Sequence, residues 1–119
     1  MGFYAKPFHM KQYVLDGLRL EDYHKLKEYL DQHADASPLG GIYWIELDKS
    51  VLTPEQAAHT SCQPHVFALM LEETYLSCEL LVRIKNNIKC DCMGYATTEQ
   101  RNWLIDQADA ILEKLSIRV

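Results

Sequence analysis

Between positions 59 and 92 the chain gathers side chains that hold transition metals. His59, Cys62 and His65 recur at three-residue spacing, and Cys90 and Cys92 stand one residue apart. Imidazole nitrogen and thiolate sulfur are the ligands of tetrahedral zinc. His59, Cys62, His65 and Cys90, with Cys92 alongside, therefore form a candidate zinc site. Packing is the favoured reading of the cysteines, because free cysteine is among the most buried residue types and Cys78, Cys90 and Cys92 suit a hydrophobic core. No cofactor is expected unless zinc occupies that site.

The same residues suggest two thiol chemistries. Cys62 lies between two histidines, and a nearby imidazolium lowers a thiol pKa and makes a nucleophile. Cys90 and Cys92, if they share one face of a strand, place their Cβ atoms roughly 6–7 Å apart. A disulfide needs about 3.5–4.5 Å, so an internal redox pair is not expected. Glu55 and His59, four apart, suit a surface pair better than an acid–base dyad. Arg83 and Asp91 are expected to pair across strands, and Lys85, Lys89 and Arg83 to form a solvated edge. Gly40-Gly41 precedes a strand and not a helix, so it is no phosphate loop.

The elements that must position these residues are readable in part. Apolar residues at helical spacing, Tyr23, Leu26, Leu30 and His33, predict a helix from about Leu20 to Ala34, with Glu21 and Asp22 at its positive end and Ser37-Pro38 beyond it. Gln12 to Leu15 reads as a short strand, and 41–47, with Ile-Tyr-Trp-Ile, as a longer one. Thr53-Pro54-Glu55-Gln56 opens a short helix with a capping box. Thr97 and Gln100 open the last helix in the same way, and Leu104, Ala108, Ile111, Leu112 and Leu115 form its apolar stripe.

Residues 65–95 read as a three-stranded meander. A turn at Glu72 to Tyr75 pairs Leu71 with Leu76 and Leu69 with Cys78, and by extension Phe67 with Leu80 and His65 with Val82. A second turn at Lys85-Asn86-Asn87 pairs Ile84 with Ile88, Val82 with Cys90 and Leu80 with Cys92. One face then carries Phe67, Leu69, Leu71, Leu76, Cys78, Leu80, Val82, Ile84, Ile88, Cys90 and Cys92, a core for the last helix to cover. In this register His65 and Cys90 share a row but stand two strands apart, roughly 10 Å. The other face mixes Val66, Ala68, Met70, Leu81, Met93 and Tyr95 with charges, and the tyrosines Tyr13, Tyr23, Tyr29 and Tyr43, with Trp44, are assigned to the core.

Together these features predict one α+β domain over 1–119, an antiparallel sheet packed against an N-terminal and a C-terminal helix. The chain has 119 residues, 48% of them hydrophobic, enough to bury a core without a staple. A net charge of -5 argues against nucleic acid as a partner. No apolar run approaches the ~20 residues of a membrane span, and no leader precedes the fold, so a cytoplasmic protein with free thiols is expected. The surplus of apolar residues on the second sheet face favours an interaction or ligand-binding module acting as a homo-oligomer or with a protein partner. The alternative is a metal-binding or thiol-reactive protein built on the His59–Cys62–His65 segment with Cys90 or Cys92.

Overall fold

The computed structural model describes residues 11–85 and 90–119. Along the chain come β1 (Gln12–Asp16), α1 (Leu20–His33), β2 (Asp35–Ala36), β3 (Ile42–Glu46), α2 (Pro54–Ala58), β4 (His65–Leu71), β5 (Tyr75–Glu79), β6 (Leu81–Ile84), β7 (Gly94–Tyr95) and α3 (Thr98–Lys114). Single 3-10 turns occupy Lys49–Val51 and Thr60–Cys62. The strand pairs are antiparallel, and with the two long helices they make the α+β architecture expected.

Local chemistry sets the helix starts. The Asp22 carboxylate accepts the Arg19 N–H at 3.1 Å at the head of α1. Thr53 and Thr97 accept the N–H groups of Gln56 and Gln100, whose side chains accept the threonine N–H groups in return. Gly40 and Gly41, at φ 78° and 72°, turn the chain from β2 into β3 through the left-handed region that glycine enters without strain.

Leu26 and Leu30 of α1 and Leu104, Ala108 and Leu112 of α3 share one buried cluster with Phe67, Leu69, Leu76, Cys78 and Val82. Both helices therefore pack on the same sheet face. Trp103 stacks near Phe67 at 6.3 Å between ring centroids. Tyr43 is buried in this core, and Tyr13, Tyr23 and Tyr29 pack against it. Trp44 departs from the expected assignment: it points to the opposite face. There it lines a groove of about 310 Å³ with Ile42, Ala68, Met70, Gln12 and the Glu79–Arg83 ion pair.

The sheet keeps the start of the meander and corrects its continuation. Leu71↔Leu76 and Leu69↔Cys78 pair as expected. Further on, His65 pairs with Ile84 and Val66 with Arg83, where Val82 had been expected opposite His65. Two extra residues are absorbed around Leu80, which divides β5 from β6. Leu80 donates its N–H to the Lys11 carbonyl at 3.0 Å, and its own carbonyl accepts the Ala96 N–H at 2.9 Å. An insertion of two preserves the alternation of faces, so Val82 remains fully buried on the core side although its partner has changed.

The place expected for the third meander strand is divided. β1 pairs with β5, Gln12↔Glu79 through Asp16↔Tyr75, and the short β7 pairs with β6 through Leu81↔Tyr95 and Val82↔Gly94. Val82 therefore faces Gly94 and not Cys90. The expected turn at Asn86-Asn87 and the Ile84–Ile88 pair lie outside the described residues, as does Lys89.

Candidate metal centre

Two chain segments meet beside Ile84 at one end of the core-facing side of the sheet. The first follows α2: its last turn ends at His59, and the 3-10 turn Thr60–Cys62 carries Cys62 inward. The second is Cys90–Met93. It is a turn and not the strand expected, with the Met93 N–H donating to the Cys90 carbonyl at 3.2 Å. Cys62, Ile84 and Cys92 form a small buried cluster of their own, with Cys90 packed against it.

One ligand atom from each of His59, Cys62, Cys90 and Cys92 lies within 4.8 Å of the other three. The nearest approach is His59 Nδ1 to Cys90 Sγ, 2.9 Å. A tetrahedral zinc with Zn–S of about 2.3 Å and Zn–N of about 2.0 Å separates its ligand atoms by about 3.5–3.8 Å. Side-chain adjustments of about an ångström therefore suffice to hold a metal ion. His59 and Cys90 are half-buried and line a shallow surface depression with Glu55, Asp91 and Met93, whereas Cys62 and Cys92 are buried.

Of the residues expected as ligands, the structure brings His59, Cys62 and Cys90 together and adds Cys92. His65 stands outside this group. It occupies the core side of β4, 2% exposed, with its Nε2 3.4 Å from Cys92 Sγ. The three-residue spacing of His59, Cys62 and His65 suggested it as a ligand, although the expected register already set it two strands from Cys90, roughly 10 Å away. The turn at 90–93 brings both sulfurs of the Cys-x-Cys pair within reach of His59 and Cys62. His59-x-x-Cys62 and Cys90-x-Cys92 are two tight ligand pairs, and that pairing was the available signal for Cys92.

The electrostatics separate the four thiols. The backbone N–H of Cys92, foremost, draws the Cys90 thiol down to about 7. Burial pushes Cys92 up to about 12, and the Cys90 sulfur together with burial also raises Cys62. Cys62 is thus a poor nucleophile, and thiolate character belongs to Cys90. Cys78 lies fully buried in the main core, with its thiol pushed up to about 12 by burial; it is a packing residue. Burial, reinforced by His59, depresses the His65 pKa and favours a neutral ring. Arg83 makes its ion pair with Glu79, at 2.6 Å, where a partner at Asp91 had been expected.

The two halves of the centre are tied through their capping residues. Gln56 Nε2 donates to the Cys92 carbonyl at 3.0 Å. Gln100 Nε2 donates to Gln56 Oε1 at 2.8 Å and to the Val51 carbonyl at 3.0 Å. Both glutamines are buried. The cap of α2 is thereby joined to the cap of α3 and to the turn carrying Cys92. Gln100→Ala leaves several of these buried groups unpaired and is expected to cost about 2 kcal/mol. Thermal unfolding followed by circular dichroism should show a fall of roughly 6–10 °C; an unchanged melting temperature would mean that the link carries no load.

The chain matches no protein-family model, no curated protein and no solved structure. Among the described residues no helix is long and apolar enough to cross a membrane.

Proposed function

We propose that this chain is a zinc-binding protein in which His59, Cys62, Cys90 and Cys92 hold one Zn2+ in a closed, structural site. The observation that carries this reading is the convergence of four N/S ligand atoms within 4.8 Å from two segments distant in sequence. Three thiolates and one imidazole fill a tetrahedron and leave no open position, the pattern of a structural and not a catalytic zinc. Soft sulfur ligands disfavour magnesium and calcium. Core packing alone does not account for Cys90 and His59, which are half-exposed. The ion's work is to pin the 59–62 turn to the 90–92 turn. Elemental analysis of protein produced without a histidine tag should find about one equivalent of zinc. Cys92→Ser should lose it, and less than a tenth of an equivalent in the unaltered protein removes the reading.

A second reading concerns association. Met70 and Val14 are 42% and 43% exposed, and with Ile42, Ala68 and Trp44 they give the helix-free sheet face an apolar surface. This favours a homo-oligomer formed through that face, with the zinc centre as its internal brace. Light scattering at high protein concentration should give a dimer mass, and Met70→Lys should return a monomer. A strict monomer before substitution rejects this second reading and leaves the first intact.

A further inference from the structure

We propose that His65 is a positioning residue of the metal centre, donating its Nε2–H to the Cys92 sulfur from behind the ligand shell. This rests on the zinc reading and adds a fifth side chain to it. A Zn2+ held by three thiolates and a neutral imidazole leaves a net charge of −1 on the centre. Cys90 is half-exposed, so solvent disperses part of its share. Cys92 is only 3% exposed, and His65 is the ring beside it, with Nε2 at 3.4 Å. A buried thiolate without a donor is costly, so a donor at this ligand matters.

The ring's other nitrogen determines which way its single proton points. His65 Nδ1 is buried and has no hydrogen-bond partner among the described residues. A proton on Nδ1 would be an N–H buried with no acceptor. A proton on Nε2 meets sulfur and leaves only an acceptor lone pair unfilled, the less costly of the two. β4 fixes the ring: His65 pairs with Ile84 and is held on the core side by the sheet register. The four ligand positions are already filled, so His65 acts through Cys92. Donors of this kind orient the ligand, and their loss typically weakens metal binding about 10–100-fold.

Zinc competition against a chromophoric chelator, together with the spectrum of the Co2+-loaded protein, tests this. His65→Leu should bind zinc about 10–100-fold more weakly. It should keep the tetrahedral three-thiolate cobalt spectrum but with its sulfur-to-metal charge-transfer band displaced. His65→Gln, whose amide N–H reaches the same position, should restore most of the affinity and the band. His65→Met has similar length without a donor and should stay weak, which decides the matter if the leucine variant does not fold. Wild-type affinity in both the leucine and methionine variants overturns the proposal, and so does equal weakness of glutamine and methionine. A change of cobalt coordination in the leucine variant also overturns it, by making His65 a ligand. Failure of the unaltered protein to bind zinc or cobalt would instead remove the zinc reading itself.

Discussion

Stripping zinc with a strong chelator is expected to lower the melting temperature by roughly 12–20 °C while leaving the protein folded at 25 °C. A ligand present at about 1,000 times its Kd stabilises the folded state by about 4.1 kcal/mol. For a domain of this size each kcal/mol moves the midpoint by about 3–5 °C. The fold should survive because the main core, from Leu26 and Leu30 to Phe67, Leu104 and Leu112, contains none of the four ligands. At 119 residues that core needs no staple. Far-UV circular dichroism before and after chelation should show α1 and α3 unchanged. A melting temperature that does not respond to metal loss rules out a bracing ion, and global unfolding on chelation would mean that the core does not stand alone.

The same experiment has a pH dependence of known sign. In the empty centre Cys92, at about 12, and Cys62, also raised, are protonated at pH 7, while Cys90, at about 7, is about half ionised. Zinc binding must expel at least the first two protons. The metal-free form therefore holds more protons, and zinc affinity should rise with pH. Between pH 7 and 6 it should fall about a hundredfold or more, and the stabilisation by zinc fades with it.

Val82→Asp is expected to prevent folding. Val82 is fully buried between Gly94 on β7 and the main core, and the substitution places a carboxylate in that apolar core. An unpaired buried charge costs about 3–5 kcal/mol, and the lost valine burial adds about 1.5–3 kcal/mol. That sum is comparable to the whole net stability of an ordinary domain, about 5–15 kcal/mol. Arg83→Gln, one residue along on the other face, loses only its pair with Glu79 and should cost about 1 kcal/mol or less. Soluble yield and far-UV circular dichroism compare the two. A folded Val82→Asp protein with a near-normal midpoint would reverse the assignment of faces along β6.

Short-range chemistry was legible in the residues themselves. The threonine–glutamine boxes at 53–56 and 97–100, the strand at 42–46 and the turn that pairs Leu71 with Leu76 stand where the pattern put them. Each depends on side chains and backbone groups within a few positions, or on an alternation that one buried face enforces. That Gln56 and Gln100 would also meet each other was not legible, because nothing local announces which surplus donor of a cap will be buried.

The composition of the metal centre lay in the sequence, and its membership did not. His59-x-x-Cys62 and Cys90-x-Cys92 are present as ligand types and spacings. Choosing between His65 and Cys92 required the course of the chain at Leu80, where Lys11 and Ala96 from distant segments take up its backbone groups. Two residues inserted there keep every side chain on its face, so the core pattern is indifferent to the change, while the pairing of His65 moves from Val82 to Ile84. Hydrophobic alternation specifies which face a residue occupies. Only the backbone pairing of the assembled sheet specifies which neighbour it meets, and so which of His65 and Cys92 lies within the four-residue cluster.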